Sequence, residues 1–193
     1  MQAARGASLN LSADARPKPG SPRLRLVFVG VFLAAYATDV VSKIVAVRTL
    51  GGGEDVELVG RWLQLHLTRN PGAAFSTAES LTPLLSLLAI GATCVVLFVA
   101  RRLGSRLWAV SLGLLLAGIL GNLTDRVLRD PGPLRGHVVD FLMLPNWPVF
   151  NVADICINVG AGLALLASFR GIAVDGARLA REPKTASPQD PAE

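Results

Sequence analysis

Four apolar stretches, each close to 20 residues long, constrain this chain more than any other feature. They cover about residues 24–47, 81–100, 107–128 and 150–169, and each matches the length of helix that crosses a bilayer core of roughly 30 Å. A hydrophobic content of 51% in 193 residues is too high for an ordinary soluble protein of that size. The length suits one domain. The expected architecture is therefore an all-α membrane protein, a four-transmembrane-helix bundle over residues 23–170. Residues 1–22 and 171–193 are polar and rich in Ala, Pro and Gly; they lack the apolar surface to order themselves and are expected to be disordered tails.

The first stretch has a rival reading. Basic residues, an apolar run and Ala35-Tyr36-Ala37 resemble a cleavable leader. Apolar character resumes through Val40, Val41, Ile44 and Val47, however, which gives full spanning length and favours an uncleaved helix.

Orientation follows from the distribution of Lys and Arg, because cytoplasmic flanks retain positive charge. With both termini inside, that side carries Arg5, Arg16, Lys18, Arg23, Arg25, Arg101, Arg102, Arg106, Arg170, Arg178, Arg181 and Lys184. The opposite side has only Arg48, Arg61, Arg69, Arg129 and Arg135, with Lys43 and Arg126 at span ends. Both termini are thus expected in the cytoplasm, with loops 48–80 and 129–149 outside. In the first of these, Leu63, Leu65 and Leu67 alternate with Gln64, His66 and Thr68, the period of a half-buried strand. A small extracytoplasmic β-cradle is expected in loop 48–80, with His66 solvated on its polar side.

The net charge of +5 is spread between apolar runs and forms no single patch, which argues against a nucleic-acid partner. Cys94 and Cys156, the two cysteines, both lie inside apolar runs and read as buried small hydrophobes. His137 has too few companions for a metal site, which needs three or more protein ligands. No metal and no cofactor are expected.

Charged side chains inside spans are costly, about 2.5–3.5 kcal/mol each at a span centre on insertion scales, so their placement is informative. Asp39 and Lys43 stand four apart near the outer end of the first span, on one helical face where they can neutralise each other. Asn122, Asp125 and Arg126 share a face at the outer end of the third span, where Asp125 and Arg126 are read as a paired scaffold. Gly118 and Gly121 one turn earlier allow a neighbouring helix to approach closely. Asp140 and Asp154 lack such basic partners. Asp154 sits in the first turn of the fourth span, with Asn151 and Asn158 on its face. If loop 129–149 folds back over the bundle, Asp140 meets it at the outer membrane boundary. Two apposed carboxyls in a partly desolvated site share one proton, which equips them to activate a water and protonate a leaving amine. No Ser or Cys nucleophile with a matched base and no H-E-x-x-H helix is present.

These residues stand in blocks that resemble the lipoprotein signal peptidases (signal peptidase II): DVVSK at 39–43, NPGAAFS at 70–76, GNLTDR at 121–126, GHVVDF at 136–141 and FNVAD at 150–154. The resemblance covers nearly everything from Asp39 to Gly160. It implies a bacterial inner-membrane aspartic endopeptidase that cuts prolipoprotein signal peptides before a diacylglyceryl-modified cysteine. It places the catalytic pair on Asp140 and Asp154 and the substrate-binding or supporting positions on Asn70, Gly72, Asn122, Arg126 and Asn151. Asp39, Lys43 and Asp125 are further family-motif residues. Val40 stands where the family often has Gln. The implied partners are diacylglyceryl-modified prolipoproteins and membrane lipid, and the expected state is a monomer. A proton-coupled carrier is the rival from another class, but the acidic residues cluster at one membrane face with no internal repeat, whereas carriers bind near the midplane. A purely structural adaptor leaves the Asn and Asp positions without a role.

Overall fold

The computed structural model describes residues 21–72 and 81–178. Four helices, α1 (Pro22–Thr49), α2 (Thr82–Ala100), α3 (Arg106–Leu128) and α4 (Val152–Phe169), are long and apolar enough to cross a membrane. Their bounds fall within two residues of the expected spans. α1 runs unbroken past Ala37 to Thr49, so no boundary follows Ala35-Tyr36-Ala37. At 28 residues it is about 42 Å long, more than a bilayer core requires, and its end stands clear to support the sheet.

α3 is the central helix, packed on α1, α2 and α4. Small residues set its distances. A Cβ at Gly118 would lie 2.6 Å from Ile157 Cγ1 of α4, and one at Gly113 would lie 3.1 Å from Val31 Cβ of α1. α4 reciprocates through Gly160, whose carbonyl accepts a 2.8 Å bond from Ser111 Oγ. Close backbone approach of this kind is what draws helices together where lipid removes the hydrophobic drive. Apolar residues elsewhere on the helices point outward, among them Leu84, Leu88, Val95, Phe98, Leu165 and Phe169. Cys94 shares that outward surface, contrary to its reading as buried, because α2 packs on α3 alone among the helices; Cys156 is buried.

Three strands, β1 (Val56–Val59), β2 (Leu63–Asn70) and β3 (Val138–Met143), form an antiparallel sheet in the order β1-β2-β3. The expected cradle is therefore present, but its third strand comes from the other loop. Thr68 pairs with Asp140 and Asn70 with Val138. Val139 and Phe141 pack with Leu65 and Leu67 on Ala46 and Leu50 at the top of α1, which seats the sheet on the bundle. His66 does more than face solvent, since its Nδ1 lies 2.6 Å from Asp55 Oδ1.

Residues 171–178, expected to belong to a disordered tail, are folded. They turn back under the bundle, where Gly104 N donates to Val174 O at 2.8 Å and Trp108 Nε1 to Ile172 O at 2.8 Å. Val174 packs against the cluster of Phe28, Leu103 and Leu112. The readings of disorder at 1–20 and 179–193, and residues 73–76 of the second motif block, lie outside the described residues.

Candidate active site

α4 begins beneath the sheet because Asn151 and Asp154 form a reciprocal cap. Asp154 N donates to Asn151 Oδ1 at 3.0 Å, and Asn151 N donates to Asp154 Oδ2 at 3.1 Å. This cap satisfies two orphan amides of the first turn and fixes both side chains. Asp39 of α1 adds a further cap, accepting Ala153 N at 2.8 Å. Folding loop 129–149 back as β3 brings Asp140 down onto the same helix start.

The two carboxylates are joined by asparagines, each with its orientation set by an obligate donor. Asn151 Oδ1 accepts the Asp154 amide, so its Nδ2 must donate: to Asp140 Oδ1 at 2.6 Å and to Asn122 Oδ1 at 3.1 Å. Asn70 Oδ1 accepts Gly72 N at 2.8 Å, so its Nδ2 donates to Asp140 Oδ2 at 2.9 Å. Asn122 Oδ1 accepts Lys43 Nζ at 2.9 Å, leaving its Nδ2 to donate to Asp154 Oδ1 at 2.9 Å. A backbone N–H or an ammonium can only donate. All three carboxamides therefore present their N–H groups to the carboxylates.

Behind this row lies a charged layer. Lys43 reaches Asp39 Oδ2 at 2.9 Å and Asp125 Oδ2 at 3.0 Å, and all three side chains are buried. Asp125 also accepts Val139 N at 3.2 Å and a bond from Arg129 Nε. The scaffold pairing expected between Asp125 and Arg126 is not formed. Adjacent helical residues point about 100° apart, whereas i and i+4 share a face, so Arg129 takes that place. Sequence reasoning missed Arg129, although its spacing from Asp125 was the available signal.

Arg126 instead turns toward Gly72. A Cβ at Gly72 would come 3.0 Å from Arg126 Nη1, and that nitrogen is buried with no hydrogen-bond partner among the described residues. Asn158, expected on the face of Asp154, is exposed and donates to the Asp154 carbonyl at 2.9 Å. It shares the helical face but sits one turn further along α4. His137 lies in a different cavity of about 730 Å³, with Arg69, Arg135 and Asp130. Among the described residues no three His, Cys, Asp or Glu side chains form a possible metal cluster.

Asp140 stands outside the spans and is almost fully buried. Burial pushes its carboxyl up to about 6, against the bonds from Asn70 and Asn151 that favour the charged form; the nearby charge of Asp154 raises it further.

The family model described as Signal peptidase (SPase) II matches residues 31–170. The lipoprotein signal peptidase of Rhodococcus jostii (strain RHA1) is 46% identical over 167 residues, covering 86% of this chain and 84% of that one. That of Mycobacterium tuberculosis (strain ATCC 25618 / H37Rv) is 45% identical over 157 residues, covering 81% and 78%. A solved bacterial membrane enzyme, determined by the in meso method at 1.9 Å resolution, shares the fold with a TM-score of 0.64 and 25% identity. It is covered over 97% of its length by 79% of this chain. With the family model and these relatives spanning the bundle, the cradle and the asparagine-linked carboxylates, the chain belongs to the signal peptidase II family of membrane peptidases.

Proposed function

We propose that Asp140 and Asp154 are the catalytic pair with which this peptidase removes signal peptides from prolipoproteins, cutting before the diacylglyceryl-modified cysteine. The observation that carries the assignment is the single carboxamide of Asn151, which binds Asp140 through its side chain while capping the helix turn that carries Asp154. The two carboxyls are thereby fixed on either side of one group. Singly protonated, they perform the reaction between them. The ionised carboxylate takes a proton from water as the water oxygen bonds to the scissile carbonyl carbon, and the protonated carboxyl donates to the carbonyl oxygen. The tetrahedral intermediate then collapses, the C–N bond breaks, and the amine of the modified cysteine leaves with a proton from the pair. Such acid–base help is worth about 10²–10⁴ in rate. Arg126 Nη1 supplies a donor to the substrate backbone, and Asn70 and Asn122 hold the carboxylates in place.

The excess of Lys and Arg on the side of both termini supports a topology with the termini in the cytoplasm and the site at the extracytoplasmic face. An exported, lipid-anchored substrate presents its cleavage point there. Among the described residues the reacting pair and its three asparagines come from one chain, and the working unit proposed is a monomer in membrane lipid. Purified protein in detergent is expected to cleave a diacylglyceryl-modified prolipoprotein and to leave the unmodified precursor intact. Equal cleavage of both would overturn the substrate assignment.

The raised carboxyl of Asp140 sets a pH dependence. Between its ordinary value of 3.8 and about 6 the folded protein holds a proton that the unfolded chain releases. Its contribution to stability therefore falls as pH rises through that window. The singly protonated pair is lost above the upper titration, so kcat/KM is expected to show an alkaline limb near pH 6, belonging to the pair as a unit. Asn70→Ala removes a donor that favours the charged form, and the limb should move to higher pH; a limb unmoved or shifted downward would contradict this role.

Gly72 is expected to tolerate no side chain. Its φ of 114° disfavours L residues, and an added Cβ would lie 2.6 Å from Leu85 Cδ1 as well as against Arg126. Gly72→Ala should cost about 1–3 kcal/mol and reduce turnover by displacing Arg126 and loosening Asn70. Unchanged turnover and thermal stability in this variant would show that the close approach is not needed.

A further inference from the structure

Lys43 is 1% exposed, and a buried ammonium is tolerated only with compensation. Asp39 and Asp125 already supply two carboxylates within 3.0 Å. Those pairs account for its charge, but they leave its third contact, to Asn122 Oδ1 at 2.9 Å, without a purpose. That contact has a directional consequence. The ammonium can only donate, so the Asn122 oxygen must face it, and the amide nitrogen is turned onto Asp154 Oδ1. A rotated carboxamide would set its oxygen against the Asp154 carboxylate, lone pair against lone pair. Asn151 Nδ2 also donates to Asn122 Oδ1, but at 3.1 Å and while shared with Asp140.

We infer that Lys43 is a positioning residue for the peptidase reaction: its ammonium latches the Asn122 carboxamide so that Asn122 donates to Asp154 and fixes the direction of that carboxylate. This rests on Asp140 and Asp154 being the reacting pair. It gives the buried triad of Asp39, Lys43 and Asp125 a role beyond joining α1 to α3. The triad fixes the ammonium, the ammonium fixes the amide, and the amide fixes the carboxylate.

Lys43→Met alone would leave the buried Asp39 carboxylate without a cation and can fail to fold. The test therefore uses Asp39→Asn/Lys43→Met, which removes one charge of each sign. Asp125 keeps Arg129 and the Val139 amide, and the carboxamide oxygen introduced by Asp39→Asn can still accept from Ala153 N. Turnover of a diacylglyceryl-modified prolipoprotein is measured on the full chain in detergent and compared with Asp39→Asn. The expected result is a loss of about 10- to 100-fold in kcat, comparable to loss of an orienting partner elsewhere, with KM within about twofold. In the Asn122→Ala background the same Lys43→Met change should cost less than about threefold more, because its target is already gone. Turnover equal to that of Asp39→Asn, or an equal loss with and without Asn122, would overturn the inference. Retained turnover in Asp140→Asn and Asp154→Asn would instead overturn the reading beneath it.

Discussion

Asp125→Ala is expected to be the most destabilising single substitution in the polar layer. Its carboxylate accepts from Lys43, from Arg129 and from the buried amide of Val139, and so ties α3 to α1 and to β3. Removing one partner from a buried charge cluster costs about 3–5 kcal/mol, because the remaining charge is left without compensation. Lys43 would retain only Asp39 and Asn122, and the Val139 amide would lose its acceptor. For a domain of this size each kcal/mol lowers the thermal midpoint by about 2–4 °C, so a drop of about 6–20 °C is expected in detergent. Arg129→Ala removes a partly exposed partner and should cost about 1 kcal/mol or less. A shift under about 2 °C for Asp125→Ala, or a larger loss for Arg129→Ala, would show that the cluster does not hold β3 to the bundle.

The spans were legible in the sequence because bilayer crossing imposes one length and one polarity, and the helices begin and end close to the apolar runs. β2 was legible from the alternation of Leu63, Leu65 and Leu67. β3 was not. Val138 and Val139 precede Asp140, Phe141, Leu142 and Met143 without alternation, because the strand is buried over its first four residues. A short apolar run of this kind has no period to betray it. The pair Asp39–Lys43 could be placed from helical spacing alone, but the longer links from Lys43 to Asp125 and Asn122 depend on how α1 crosses α3, which local spacing does not encode. The same limit explains Arg126. Its proximity to Asp125 along the chain suggested a pair, whereas helix geometry points it at Gly72.

The candidate dyad was legible as two carboxylates without adjacent cations. The sequence could not supply the means of joining them. Each of the three asparagines needs an obligate donor to fix its amide: Asn122 takes Lys43 from α1, Asn70 takes Gly72 N just past the end of its own strand, and Asn151 takes Asp154 N in the first turn of the helix it caps. Those orientations exist only in the folded chain, and they convert a cluster of polar residues into an arrangement with a defined direction for every bond.

Asp140→Asn and Asp154→Asn carry the largest expected effect on activity. Asparagine keeps the size of each side chain but has one acceptor oxygen where the carboxylate has two, so at each position one of the two bonded N–H groups keeps its partner and the other faces an amide nitrogen. The variants should still insert and fold, with a lowered thermal midpoint. Neither amide can take a proton from water or pass one to the leaving amine, and the loss of acid–base help is about 10²–10⁴ in rate. Because the two groups work on one proton, the double variant should be little worse than either single one. The decisive measurement is single-turnover cleavage of a diacylglyceryl-modified prolipoprotein by the purified single and double variants, alongside their thermal midpoints. The account predicts that both single variants lose at least about 10²-fold in rate while remaining folded. Near-normal cleavage by either folded single variant would contradict it.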